Sequence, residues 1–357
     1  MPTETQARVQ PGLIVMFGSG ESQASAKKTH AFVAERLPHQ PRIELLETPA
    51  GFEPNSATVA GKIAHFLEGT LQNHEPQTNL IPARKRGSIH SPDDPALVAP
   101  LLSADWIFLG PGSPTYATRQ LRDSVAYQML QARHRLGATL MLASAATVSF
   151  CGHTMPIYEI YKVGEDLHWK PGLDFFAPFG LHVIIVPHWN NTDGGDELDT
   201  SRCYLGKTRF DALVGMLNKP HTIIGLDEHT ALIIDPVNEV CHVNGKGNVT
   251  VVRDGVEKPF PAGTDFSVTE LGEWRIPAGD EGIPAEIWAQ ALDAHAAKNA
   301  EPETEGPPED VLALVQQRTE ARTNRDWAAA DELRDAISER GWQVKDTPEG
   351  AVVTPLN

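Results

Sequence analysis

Gly137-Ala138-Thr139-Leu140-Met141-Leu142-Ala143-Ser144-Ala145-Ala146-Thr147 reads as a strand, a tight turn and the start of a helix. An apolar run of this kind followed by small residues fits a strand covered on both faces, as in a parallel sheet flanked by helices. A serine at the tip of such a turn holds its hydroxyl clear of the sheet. The first amide of the following helix faces the same spot. Ser144 is therefore a candidate nucleophile.

The same alternation recurs on either side. Residues 13–17 read as a first strand, and Gly18-Ser19-Gly20-Glu21 turns it into a helix reaching about residue 37. Residues 43–47 and 106–109 are further strands, the second closed by Gly110-Pro111-Gly112-Ser113-Pro114. A single helix over 115–135 leads into the Ser144 strand. The pattern predicts an α/β three-layer sandwich with a mostly parallel sheet. In such sheets ligands bind beyond the carboxyl ends of the strands.

Two partners for Ser144 follow at later strand ends. His188 closes Val183-Ile184-Ile185-Val186-Pro187, and Glu228 follows Ile223-Ile224-Gly225-Leu226-Asp227. A serine needs a base to take its proton, and the base needs a carboxylate to fix its tautomer. Residues 231–267 change to short β segments, expected to extend the same sheet in antiparallel fashion.

Composition narrows the function. The chain has 357 residues, is 41% hydrophobic and carries a formal charge of −17, which argues against nucleic-acid or anionic-membrane binding. Three dispersed cysteines fit a reducing compartment without disulfides. No Cys-x-x-Cys pair calls for zinc, so neither metal nor cofactor is expected. Cys151 reads as a buried structural thiol two helical turns beyond Ser144. The polar Met1–Gln6 start and the lack of a spanning apolar run predict a cytoplasmic protein with no membrane contact.

With these blocks in view, residues 1–275 resemble the cyanophycinase and peptidase E family of serine peptidases, which has a class I glutamine amidotransferase-like fold. The likeness rests on Leu13-Ile14-Val15-Met16-Phe17-Gly18-Ser19-Gly20-Glu21, on Ile107-Phe108-Leu109-Gly110-Pro111-Gly112-Ser113, on Ser144 and His188, and on Gly225-Leu226-Asp227-Glu228-His229-Thr230-Ala231. It implies hydrolysis of a peptide or isopeptide bond in a small peptide-like substrate, next to an acidic residue. Ser144 would attack, His188 would serve as base and then acid, and Glu228 would orient it. Ala145 with Gly112 or Ser113 would form the oxyanion hole.

The chain departs from the family at two places. Gly-x-Ser-x-Gly is Leu142-Ala143-Ser144-Ala145-Ala146 here, although the glycines relieve crowding at a strained turn. Pro187-His188-Trp189 replaces Asp-Gln-His-Phe, and an acidic loop from Asn190 to Asp199 stands where a basic stretch usually follows. Trp189, Asn190, Asp193 and Asp196 are the candidate substrate contacts, the acids suiting a basic side chain. The bland reading of those acids is a solvated loop. The rival class is a catalytically silent scaffold, in which Leu142 fills the pocket; a Ser144–His188 separation near ~3 Å would favour the enzyme.

Residues 276–308 read as a helix and an acidic, proline-rich linker, and 309–357 as a separate module. Two helical stretches, with Leu312, Val315, Ala330, Leu333 and Ile337 as the apolar face, precede a hairpin around Pro348-Glu349-Gly350. This tail resembles the extreme C-terminus of cysteinyl-tRNA synthetases, through Val315-Gln316-Gln317-Arg318 and Asp326-Trp327-Ala328-Ala329-Ala330-Asp331-Glu332-Leu333. No His-Ile-Gly-His or Lys-Met-Ser-Lys-Ser signature accompanies it. Ten acidic and six basic residues from 309 onward make a poor tRNA platform, so docking to a protein or self-association is expected instead. A homodimer is the default for such an enzyme.

Overall fold

The computed structural model describes residues 10–300, 307–324, 326–347 and 350–356. Met1–Gln6, most of the linker and the Pro348-Glu349 turn lie outside them. The chain divides into two compact units, Met1–Ala296 and Ala297–Asn357.

The first unit is built on an eight-stranded sheet. Its spatial order is Asp265–Ser267, Val240–Gly245, Thr230–Asp235, Ile14–Phe17, Thr139–Ala143, Trp106–Leu109, Arg42–Leu46 and Gln77–Ile81. The last five strands run parallel, and the first three are added antiparallel to them. Strand periodicity divides the central side chains between two cores. Met16, Ile107, Leu109, Leu140 and Leu142 pack on one face, with residues of helices Pro114–Leu121 and Val125–Arg135. Val15, Phe17, Trp106, Phe108, Met141 and Ala143 pack on the other, with Val33, Ala34, Ile63 and Leu67 of helices Lys27–Ala34 and Ser56–Thr70. This is the layered α/β fold that the strand pattern predicts.

Two expectations need correction. The β segments after residue 230 do not all extend the large sheet. Asn248–Arg253 and Val256–Pro261 join Thr222–Leu226 and Val183–Val186 in a separate four-stranded sheet. Local alternation shows that a strand exists but carries no information about its partner. The helix expected over 115–135 is two helices, because Asp123 adopts φ +57° and Ser124 caps the second by accepting from the Tyr127 amide.

The second sheet is also covered on both sides. Ile185, Ile224, Leu226 and Val251 join the main core, whereas Ile184, Val186, Trp189 and Ile223 pack with Phe210 and Leu213 of helix Lys207–Val214. Val183–Val186 and Thr222–Leu226 are parallel, so their carboxyl ends emerge together. Among the described residues no helix is long and apolar enough to cross a membrane.

The second unit is a helical hairpin, Glu309–Thr323 and Trp327–Glu339, followed by strands Trp342–Thr347 and Gly350–Pro355. Its buried apolar positions are Val311, Ala330 and Ile337, while Leu312 is exposed. Of the two positions expected on the inward stripe of the first helix, Val315 lies on it and Leu312 does not; the stripe runs through 311, 314, 315 and 318. That is the i, i+3, i+4, i+7 spacing of one helical face.

Candidate active site

Ser144 follows strand Thr139–Ala143 directly and precedes the short helix Ala145–Ser149. Its backbone has φ +50° and ψ −109°, outside the left-handed basin as well as the ordinary ones. Such a conformation costs about 1–3 kcal/mol and persists only where surrounding structure imposes it. Here the Ser144 amide donates to Phe17 O at 3.2 Å, and Thr147 Oγ1 donates to Ser144 O at 2.6 Å. Leu142 faces away from the cavity. It is fully buried among the strands and helices of the main core and takes no part in lining the cavity at Ser144.

Ser144 Oγ lies 3.1 Å from His188 Nε2, and His188 Nδ1 lies 2.9 Å from Glu228 Oε1. With Nδ1 donating to the carboxylate, Nε2 is left as the acceptor for the serine hydroxyl. The serine follows a strand of the large sheet, the histidine follows one of the small sheet, and the glutamate stands in the turn from Thr222–Leu226 of the small sheet to Thr230–Asp235 of the large one. The cluster therefore sits where the carboxyl ends of both sheets meet.

His188 is held in a left-handed conformation, φ +51°. The cause lies in the loop that follows. Arg202, Cys203 and Tyr204 are all left-handed, and the first two donate their amides to Trp189 O and His188 O. Three such residues in succession cost several kcal/mol, at about 1–2 kcal/mol each, so this segment is imposed by tertiary contacts. It brings the Tyr204 ring to 5.5 Å from the His188 ring.

Glu228 occupies a pinned turn. Its amide donates to Asn190 Oδ1 at 2.8 Å, and its Oε1 also accepts from Asn191 Nδ2 at 3.0 Å. Asp227 Oδ2 accepts from both Asn248 nitrogens, and the His229 amide donates to Ser19 Oγ. Asn191 was not distinguishable in the sequence as a support for Glu228; its adjacency to His188 was the one available signal.

The expected substrate contacts are dispersed. Asn190 is a brace for the Glu228 turn. Trp189 is buried, edge-on to Phe210 and beneath the Arg202 guanidinium at 3.6 Å, and Gly225 opposite it has no room for a Cβ. Asp193 and Asp196 are exposed and absent from the cavity lining. Asp193 turns its loop, its amide donating to Asn191 Oδ1, and its charge contributes, after burial, to pushing the Tyr204 hydroxyl up to about 12. Asp199 accepts from the Ser201 and Lys207 amides, and the Ser201 hydroxyl together with these amides holds its carboxyl low.

The cavity at Ser144 has a volume of about 370 Å³ and is also lined by Ala145, Gly112, His188 and Tyr204. Ala145 opens its helix, where leading amides have no intrahelical acceptor. Gly112 approaches Pro49 O so closely, at φ +154°, that a Cβ would lie 2.0 Å from it. Ser113 is otherwise engaged. Its amide donates to Pro49 O, and its hydroxyl caps helix Pro114–Leu121. Ala145 and Gly112 are thus the oxyanion candidates that reach the cavity. A larger cavity of about 640 Å³ lies against Trp189, Arg202 and Phe210 and contains none of Ser144, His188 or Glu228.

Two buried groups complete the surroundings. Glu21 is held above the usual carboxylate range by burial, offset by its own amide and by His188 and His229. Cys151 is fully buried just past the short helix, accepting from the Ile185 amide, and burial pushes its thiol up to about 12. Among the described residues no group of three or more His, Cys, Asp or Glu side chains is placed to hold a metal ion.

The layered α/β fold of this chain has a counterpart among solved structures. The chain superimposes on a peptidase from an acI-B1 Actinobacterium with a TM-score of 0.58 at 19% identity, over 73% of this chain and 98% of that one. A weaker likeness, TM-score 0.42 at 12% identity, is to a protein described as a candidate peptidase E from Listeria monocytogenes, over 70% of this chain. Residues 304–352 match the cysteinyl-tRNA ligase anticodon binding domain. There the chain is 56% identical over 43 residues to cysteine–tRNA ligase 1 of Burkholderia lata, and 65% identical over 40 residues to the ligase of Lactobacillus delbrueckii subsp. bulgaricus. Those stretches span 9% and 8% of the two ligases.

Proposed function

We propose that this protein is a serine-type peptidase or amidohydrolase acting on a peptide or isopeptide bond of a small substrate. The observation that carries the reading is the hydrogen-bonded chain from Ser144 through His188 to Glu228 at the mouth of a cavity. Ser144 Oγ adds to the substrate carbonyl as its proton passes to His188 Nε2. The oxyanion is stabilised by the amides of Ala145 and Gly112. Collapse breaks the C–N bond, and the imidazolium gives its proton to the departing amine. Water, deprotonated by His188, then cleaves the acyl-enzyme and restores the serine. Glu228 holds the imidazole tautomer throughout, itself fixed by Asn191 and Asn190.

Leu142 bears on the rival scaffold reading. Its side chain packs into the core and leaves the cavity open, which supports the enzyme. The test is mass spectrometry of a diverse peptide pool, including α- and β-aspartyl peptides, incubated with the protein and with Ser144→Ala. Cleavage by the unmodified protein alone is expected. Equal cleavage by a folded Ser144→Ala variant would overturn the assignment.

The ligase likeness carries no ligase activity to this chain, since it covers only the tail. For that module we propose docking to a protein rather than to tRNA, on the strength of its excess of acidic residues. Gel shift with unfractionated tRNA at low salt checks this; a tight, salt-sensitive complex would refute it.

A further inference from the structure

We propose that the cavity beside Ser144 is a specificity subsite for a large apolar side chain, aromatic by preference, on a residue flanking the scissile bond. This rests on the serine-peptidase reading above.

The walls are Tyr158, Tyr161, Tyr204, Ile157, Val148 and Pro187. Tyr161 and Tyr204 lie with ring centroids 5.7 Å apart at 41°, and Tyr204 continues to His188 at 5.5 Å. An aromatic ring entering here meets tilted partners at the separations such rings favour. Tyr158 and Tyr161 remain 40% and 38% exposed, so much of the ring surface is available to be covered. At about 370 Å³ the cavity is near the small end of ligand pockets and suits one or two residues rather than an extended chain.

The tyrosine wall is built in advance. Tyr161 belongs to a single π-helical turn, Glu159–Val163, and Tyr158 precedes it. Glu159 accepts from Thr115 Oγ1 at 2.6 Å and pairs with Lys170 Nζ at 3.5 Å, while Ile160 is buried in the core beneath. The turn is therefore fastened at its first two residues, Glu159 and Ile160, and less ordering remains to oppose binding.

Charge selects in the same direction. Among the described residues no Asp or Glu lines the cavity, whereas Lys162 does. A basic substrate side chain would meet a like charge, contrary to the preference suggested by the acidic loop. An acidic one would gain an exposed pair, worth a factor of about five at most. Covering the tyrosines with a large apolar side chain is worth roughly ten- to a hundred-fold.

The test is a set of matched short peptides differing only at the residue on either side of the scissile bond, as Phe, Leu, Ala, Asp or Lys. Their kcat/KM values are compared on the full chain. A fluorophosphonate probe, with Ser144→Ala as control, reports the nucleophile independently of substrate. Serine-dependent labelling is expected, with Phe exceeding Ala and Asp by at least about tenfold. Tyr161→Ala and, separately, Tyr158→Ala should shrink the Phe-to-Ala ratio several-fold while still labelling. Labelling with an Asp or Lys preference, a flat profile or no cleavage overturns the subsite and leaves the serine reading standing. Absence of both labelling and cleavage defeats the serine reading, and the subsite with it.

Discussion

The two units of this chain are similar to known proteins in opposite ways. The first is only 19% identical to a solved peptidase yet superimposes over 98% of it, and its strand ends bring three side chains into hydrogen-bonding order. The second is 56% identical to a ligase over 43 residues, but that stretch is 9% of the ligase and carries none of the synthetase signatures. Layered folds tolerate wholesale replacement of core residues while the arrangement of strands and helices is kept. Identity in sequence and the share of the relative that is matched are therefore separate quantities, and here they run in opposite directions.

The largest expected effect tests the geometric half of that comparison. Ser144→Ala should lower kcat by about 10⁴-fold or more with the far-ultraviolet spectrum unchanged. Glu228→Gln should cost about 10³–10⁴-fold, because the amide can hold the wrong imidazole tautomer. Turnover within a factor of ten of the parent would exclude Glu228 from that role.

A third substitution restores the glycine of the family pattern. Leu142→Gly should destabilise the protein by about 3–5 kcal/mol in urea unfolding, because Leu142 fills the core and glycine adds backbone entropy. An unchanged midpoint would mean that the leucine is not a core residue.

Acid should weaken the first unit. Burial holds His30 down at about 4 and His134 at about 3, against an ordinary value of 6.5. The unfolded chain thus binds more protons than the folded one below pH 6.5. The contribution is fully present above that value and is lost as pH falls toward 4. Each histidine should remove about 2 kcal/mol between pH 7 and 5. Glu21 and Glu44, both raised chiefly by burial, act with the opposite sign. Urea titrations at the two pH values, repeated on His134→Gln, should show a shallower dependence in the variant; an identical slope would rule out His134. The smallest effect concerns the tail: a chain ending at Ala300 should hydrolyse the chosen peptide within about twofold of the full chain, and a tenfold loss would tie the tail to the site.

Much was legible in the sequence because local rules govern it. The apolar run ending at Ser144, the glycine-rich Gly110–Pro114 loop and the strands before His188 and Glu228 announce buried strands and the turns at their ends. The division of Ile14–Phe17 side chains between two cores follows from the period of a strand. Only the tertiary structure decided which strands pair, and so that Ser144 ends a strand of one sheet, His188 follows a strand of another, and Glu228 stands in the turn between the two. It also turned Trp189 into the core, made Asn191 a brace for Glu228, and brought Tyr158 and Tyr161 of one segment together with Tyr204 of another. Periodicity and turn chemistry act over a few residues, whereas strand partners and cavity walls are selected by packing between segments tens of residues apart.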